Sequence, residues 1–381
     1  MKRTIKRFLS TTSAIILGVI IILLLTFAGN KSNGPLEDLF IKISNQVINV
    51  ENKIVMLKRR PVRKKALSWF DKYRENKSLF SHPDTIFTGI YDNHYKKSFD
   101  NIITLEKSLN LTVQFIHIYT AWGSNTEQRF PYRYAKAIYN LGSTPFITWE
   151  PWLNDFDRDE HPELPDKAKC NKNGLKAIAN GTYDFYLEKW AEDVKRYGEI
   201  IFIRFAHEMN DPYRYPWGPQ NNNPKDFIAA WRHVVDYFKK AKVDNVVWVW
   251  SPHPAYKNYN DFYPGNDYVD WIGVGCLNYG NVASWSRWWT FKDIFGNYYE
   301  MLSSFDKPIA ITEFSSLSVG GNRSKWYEDA LTDIPKKYPA VKAIMFFNDS
   351  QDNTTTYKSL NWSIIGDTLT VNAIKRSFDK W

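Results

Sequence analysis

From about Asp84 onward, apolar and polar positions fall into short runs of β-branched and aromatic residues separated by stretches of helical length. Eight such runs can be counted: Ile86 to Tyr91, Val113 to Tyr119, Pro145 to Trp149, Ile200 to Phe205, Val246 to Trp250, Tyr268 to Val274, Ile309 to Thr312 and Val341 to Phe347. Between most of them lie segments with apolar residues at three- and four-residue intervals, for example Tyr183 to Tyr197, Lys225 to Ala241 and Phe291 to Phe305, the spacing of a helix that buries one face. Strands alternating with helices predict a parallel sheet, because parallel neighbours need a crossover connection. Eight strands within about 300 residues predict an α/β fold closed into a (β/α)8, or TIM, barrel. The connection through Asn258 to Tyr263 is too short for a full helix between the fifth and sixth strands.

The pattern upstream of Asp84 is different. Phe8 to Asn30 carries no charge, and Ala14 to Phe27 is nearly continuous Ile, Leu and Val, long enough to approach the thickness of a bilayer. Lys2, Arg3, Lys6 and Arg7 precede this run and only Lys31 follows closely, so the bias of positive charge to the cytoplasmic side leaves the bulk of the chain outside. The competing reading is a cleaved signal peptide, since Thr26-Phe27-Ala28 offers small residues before Gly29. Leu39, Ile43, Val47, Val50 and Ile54 then recur at helical spacing ahead of the basic run Lys58 to Lys65. The expected organisation is a basic cytoplasmic tail (1–10), a transmembrane anchor or signal segment (11–29), a helical stalk or linker (30–80) and a barrel domain (81–381).

Composition sharpens this picture in three respects. Sixteen tryptophans in 381 residues, within 17% aromatics, exceed what a core needs and suit stacking against flat apolar faces such as those of sugar rings. The net charge of +9 suggests nucleic acid at first, but the basic residues gather at Lys2 to Arg7 and Lys58 to Lys65 rather than along an aromatic-lined groove, which argues against it. With only Cys170 and Cys276, neither a disulfide framework nor a cysteine-based zinc site is indicated.

In a barrel of this kind the active site is built where the strands end, so a polar residue closing an apolar strand is a candidate by position. Glu208 closes the fourth strand, in Ile201-Phe202-Ile203-Arg204-Phe205-Ala206-His207-Glu208, and Glu313 closes the seventh, in Pro308-Ile309-Ala310-Ile311-Thr312-Glu313. Two carboxyls facing each other across the mouth can cleave a glycosidic bond, one protonating the leaving oxygen and the other acting at the anomeric carbon. Arg204 points into the barrel and would hold a carboxylate ionised by charge pairing, or form a purely structural ion pair. The His207-Glu208 pair also raises zinc chemistry, but Asp211 stands where His-Glu-x-x-His requires the second histidine. No metal and no cofactor are expected. Trp217, and the cluster Trp285, Trp288 and Trp289, are candidate sugar platforms, and Tyr91 to His94 would border the cleft.

Arg204-Phe205-Ala206-His207-Glu208-Met209-Asn210 followed by Tyr215-Pro216-Trp217, together with Ile311-Thr312-Glu313, resembles glycoside hydrolase family 26, a clan A family of barrel enzymes that includes β-mannanases, mixed-linkage β-glucanases and some β-xylanases. The resemblance covers roughly Phe87 to Trp381. It implies a retaining endo-β-glycanase with Glu208 as acid/base and Glu313 as nucleophile, acting on β-linked polysaccharide, with mannan slightly ahead of mixed-linkage glucan. It further implies that His207 contacts the sugar at the cleavage point and that Tyr279 hydrogen-bonds the nucleophile. Trp149-Glu150-Pro151-Trp152 resembles a segment of glucanase-type members that would line the cleft, with packing of Trp149 in the barrel as the alternative. Asp211 and Tyr213 depart from the family's common Gly and Trp. A membrane-tethered polysaccharide-binding or export accessory protein with an inactive barrel is the rival from another class.

Overall fold

The computed structural model describes residues 59–381 except Lys257 and Tyr357, together with Gly18 and Leu57. The apolar run, the cytoplasmic tail and most of the expected stalk lie outside the described residues, and no helix among the described residues is long and apolar enough to cross a membrane.

Eight parallel strands close into one barrel in sequence order: β1 (Phe87–Asp92), β2 (Phe115–Ala121), β3 (Thr144–Glu150), β4 (Ile201–Phe205), β5 (Val246–Trp250), β6 (Trp271–Asn278), β7 (Ile309–Ser316) and β8 (Val341–Asn348). β8 pairs with β1, and every link in the ring is parallel. Two of the expected helices that cover the ring follow the sequence pattern, whereas the stretch expected over Phe291 to Phe305 is broken into the short pieces Phe291–Ile294, Gly296–Tyr298 and Tyr299–Ser303. Asp184–Tyr197 buries Leu187, Trp190, Ala191 and Val194, and Pro224–Lys240 buries Phe227, Ala230, Trp231, Val234 and Phe238, the stripes expected of helices laid on a sheet. Among the described residues, only short 3-10 turns, at Tyr259–Phe262 and Asn266–Tyr268, connect β5 to β6.

The compact unit begins at Arg60, 21 residues before the boundary expected at residue 81. Residues 67–80 are part of the barrel rather than a stalk. Leu67, Phe70, Tyr73 and Phe80 pack against Phe87, Phe115, Phe146, Phe202 and Trp271 at the N-terminal ends of the strands, and the Trp271 indole donates to the Phe80 carbonyl at 2.9 Å. A barrel this size needs its lower mouth closed by side chains, and this aromatic plug does so.

Arg63, inside the basic run, is 4% exposed. Its guanidinium donates to the Leu141 carbonyl at 2.8 Å and to Ser143 at 2.6 Å, and it pairs with the buried carboxylate of Glu106. Removing one partner of a buried pair strands the other charge in a low-dielectric interior. Arg63→Ala is therefore expected to cost about 3–5 kcal/mol of stability, read as a lowered urea midpoint; a change below about 1 kcal/mol would show the pair to be dispensable.

Candidate active site

At the opposite mouth, side chains facing the barrel axis assemble one connected polar network. On β2, β3 and β4 the inward positions are Phe115, His117 and Tyr119; Phe146, Thr148 and Glu150; and Phe202 and Arg204. Each series starts in the aromatic plug and turns polar toward the strand's C-terminal end. Arg204, fully enclosed, donates to Thr148 at 2.8 Å, to Thr312 at 2.7 Å and to Glu313 Oε1 at 2.6 Å. Tyr119 donates to the same Glu313 oxygen at 2.8 Å.

Strand alternation cannot put both Thr312 and Glu313 on the inner face, yet both meet Arg204. The pairing of β7 slips against β6 between Val274 and Gly275, and against β8 between Ile311 and Phe314. A bulge of this kind re-aims one side chain; here it turns Glu313 inward while Phe314 still packs outward on Trp326.

Glu208 arrives by a different device. Beyond β4, Ala206 has φ 44° and Glu208 φ 53°, left-handed values that cost a non-glycine residue roughly 1–3 kcal/mol and persist where surroundings enforce them. Neighbouring strands supply the enforcement: the Ala206 amide donates to the Trp149 carbonyl at 3.0 Å, and the Glu208 amide to the Ser251 carbonyl at 2.6 Å. The carboxyl is thereby held over the barrel mouth. β6 leaves room for it, since a Cβ placed on Gly275 would lie 3.3 Å from Glu208 Oε1 and 3.7 Å from Glu313 Oε2. The two carboxyl oxygens are thus no farther apart than the sum of those distances, within reach of one sugar ring, and both line a single open cleft of about 840 Å³.

The two carboxyls are electrostatically unlike. Burial, reinforced by the like charge of Glu313, pushes Glu208 up to about 7 against the opposing pull of Arg214 and Arg204. Burial raises Glu313 too, but the Arg204 charge and hydrogen bond, the Arg214 charge and the Tyr119 hydrogen bond outweigh it and hold that carboxyl below its ordinary value. At neutral pH one carboxyl can give a proton and the other is an anion, the division of labour that acid–nucleophile pairs need.

Glu150 ends β3 at the same mouth. Its carboxyl lies 4.0 Å from His207 Nε2, accepts the Trp152 indole N–H at 3.2 Å, and burial raises it to about 7. His207 is 1% exposed, with Nε2 3.0 Å from the Tyr215 hydroxyl. Burial and the surrounding cations keep its ring neutral.

Several sequence expectations are corrected by this geometry. Trp149 faces the helices, wedged between Trp122, Trp190 and Phe205, because Thr148 before it and Glu150 after it take the inner face. Trp217 is 2% exposed, stacked flat on Tyr215 with centroids 4.6 Å apart and donating to the His207 carbonyl at 2.7 Å. It braces His207 and leaves no free face for a sugar. Tyr279 lines the cleft, but its hydroxyl is 3.2 Å from Thr355; Tyr119 makes the bond to Glu313 that was expected of it. Arg204 contacts Glu313 and, fully enclosed, presents nothing to a substrate. Among the clustered tryptophans, Trp285 and Trp289 line the cleft, whereas Trp288 packs against Gly321. Asp92 is buried and accepts from Asn101 and Asn348, so it stays within the scaffold. Both cysteines are buried free thiols.

Tyr119 and Arg214 escaped the sequence reading. Tyr119 had a signal, since it continues the inward alternation of Phe115 and His117. Arg214 had none: it lies in an irregular loop and reaches Thr355 at 2.9 Å, more than a hundred residues away, with its other nitrogen 3.5 Å from Glu208 Oε2. Tyr119→Phe removes one donor from Glu313, so the pKa of that carboxyl is expected to rise. The acidic limb of kcat/KM should then move to higher pH, with kcat lower by about tenfold or more; an unmoved limb would show the bond to be idle.

Glu208, Asp211 and His253 each bring one potential ligand atom within 4.8 Å of the others, a spacing that raises a divalent ion. However, His253 Nδ1 accepts the Ala255 amide at 3.2 Å. The neutral ring then carries its proton on Nε2, which makes that nitrogen a donor rather than a ligand.

The closed barrel thus carries a protonatable carboxyl and an anionic one in a single cleft at one mouth. Residues 175–364 match the model of glycosyl hydrolase family 26, and the chain belongs to that family. It is 34% identical to endoglucanase H of Acetivibrio thermocellus over 250 residues, 63% of this chain and 25% of that protein. It is 24% identical to the mannan endo-1,4-beta-mannosidase of Bacillus subtilis strain 168 over 56% of this chain and 58% of that one. The chain therefore spans a quarter to somewhat over half of the length of these relatives. Among solved structures, GH26C from Muricauda superposes with a TM-score of 0.58 at 18% identity, covering 79% of this chain and 87% of that one, a likeness of fold.

Proposed function

We propose that the protein is a retaining endo-β-glycanase that cleaves β-1,4-linked polysaccharide by double displacement, with Glu313 as nucleophile and Glu208 as acid/base. The observation that carries this reading is the pair of carboxyls converging beside Gly275 in opposite protonation states. Glu313, ionised by Arg204, attacks the anomeric carbon while Glu208 passes its proton to the leaving oxygen. Formation of the glycosyl-enzyme removes the charge of Glu313. That charge is one of the causes raising Glu208, so its pKa falls while Arg214 and Arg204 continue to lower it, and Glu208 becomes the base that activates water. Keeping a matched acid and anion serves catalysis and contributes nothing to passive polysaccharide binding, which favours the enzyme over an inactive barrel.

As to substrate, the greater identity to an endoglucanase than to a mannanase moves β-glucan ahead of the β-mannan that the resemblance alone put first. Xylan follows. The apolar segment at Ala14 to Phe27 fits delivery of the barrel outside the cell membrane. Product analysis on mannan, mixed-linkage β-glucan, xylan and cellulose, with the anomeric form of the first product followed by NMR, tests the proposal. A first product of inverted configuration would overturn the double displacement, and absence of new reducing ends on all four polymers would overturn the activity.

A further inference from the structure

Resting on that reading, we propose that Asp211 and His253 form a two-point clamp for a hydroxyl group of the sugar on the leaving side of the scissile bond, a specificity element separate from the bond-breaking pair. Glu313 is cradled from β2 and β4, through Tyr119 and Arg204. Asp211 and His253 come instead from the loops after β4 and β5 and line the cleft beside Glu208, the group that must touch the leaving oxygen. A sugar that departs with that oxygen is therefore within reach of these two residues.

Their hydrogen-bonding states are complementary. His253 is pinned to the neighbouring loop, its amide donating to Asn210 Oδ1 at 2.7 Å while Asn210 Nδ2 donates to its carbonyl at 2.9 Å. With Nδ1 occupied by the Ala255 amide, the neutral ring offers Nε2–H as a fixed donor. Burial, helped by Arg214 and only partly opposed by Asp211 and Glu313, lowers its pKa to about 4, so the ring stays neutral at working pH. Asp211 is 5% exposed and spends Oδ1 on the Tyr213 amide at 2.8 Å; the Tyr256 hydroxyl also bonds this carboxylate, whose two oxygens together still have acceptor capacity for a sugar hydroxyl. A sugar hydroxyl can donate to one and accept from the other, and a site built to pair a hydroxyl discriminates strongly against partners lacking it. Tyr256 borders the same wall, its phenol kept protonated by burial and by Asp211. Arg214 is engaged by Thr354, Thr355 and Glu208. The clamp thus suits a neutral hexose, whereas a uronate in the same place would face the Asp211 carboxylate.

The test compares two substrates in the full-length protein: the polymer that the wild type degrades best, and an aryl β-glycoside of the same sugar, whose leaving group has no hydroxyl to read. Asp211→Asn preserves the acceptor for the Tyr213 amide but turns the second oxygen into a donor facing another donor. The expected result is that Asp211→Asn, Asp211→Ala and His253→Ala each lower kcat/KM on polymer by about 10- to 100-fold more than on the aryl glycoside. The double variant should fall little further than the worse single one, because the two residues hold the same group. An Asp211→Asn enzyme with the wild-type ratio of the two substrates would reduce Asp211 to a turn holder and overturn the clamp. Equal losses on both substrates would overturn it too, and so would a polymer-selective loss accompanied by a shifted or missing alkaline limb of kcat/KM, the sign that the residues act through Glu208. A wild type inactive on every substrate defeats the parent reading, a result distinct from all of these.

Discussion

Replacing Glu313 by alanine is expected to lower hydrolysis of an activated aryl β-glycoside by on the order of 10⁴-fold or more, as loss of a nucleophile does in other covalent enzymes. Azide should restore turnover, giving a glycosyl azide of inverted configuration. The physical reason is that Glu313 is the one anion in the cleft paired with both Arg204 and Tyr119. Its removal leaves the enclosed Arg204 charge without its partner and vacates space against the anomeric carbon that a small anion can fill. Unchanged turnover in the variant would end the catalytic assignment, and azide product of retained configuration would place the nucleophile elsewhere.

Glu208→Ala should behave differently, and the difference identifies its role. Polymer hydrolysis is expected to fall by about 10²- to 10⁴-fold, the usual contribution of a positioned general acid. A dinitrophenyl glycoside, whose leaving group needs no proton, should lose far less in the glycosylation step, and azide should now yield product of retained configuration. The pH profile carries a second signature. Because Glu208 must be protonated and sits near 7, wild-type kcat/KM is expected to fall as pH rises through about 7, and to fall on the acid side where Glu313, held below the usual carboxylate range, takes up a proton. The alkaline limb should vanish in Glu208→Ala. Its persistence would assign it to another group, with Glu150, also raised to about 7, the first to test.

The eight apolar runs and the helices between them were legible from periodicity, because strand and helix patterns are local properties of the chain. Strand boundaries shifted by a few residues, most at the C-terminal ends of β6 and β7, which continue to Asn278 and Ser316. The two glutamates could be picked out for a related reason: a carboxyl at the end of an apolar strand costs free energy unless something compensates for it, so its position alone carries information. The plug formed by residues 67–80 was not legible. Its aromatics resemble those of an amphipathic linker until the open lower mouth of a barrel gives them a surface to bury. The tryptophans misled for a similar reason, since their abundance suggested sugar platforms while Trp149 and Trp217 were in fact spent on packing and on bracing His207.

What the sequence alone determined is therefore the barrel, its order and the identities of Glu208 and Glu313. What only the tertiary structure decided is how those side chains are aimed. Alternation along β7 would have put Thr312 and Glu313 on opposite faces; slipped pairing with β6 and β8 puts both on Arg204. The left-handed backbone at Ala206 and Glu208 is held by the carbonyls of Trp149 on β3 and of Ser251 just beyond β5, and Arg214 reaches Glu208 while anchored on the loop after β8. Each of these depends on contacts between strands and loops far apart in the chain, and the proton balance between the two carboxyls, which depends on burial and on charges brought together by the closed ring, exists only once the barrel is complete.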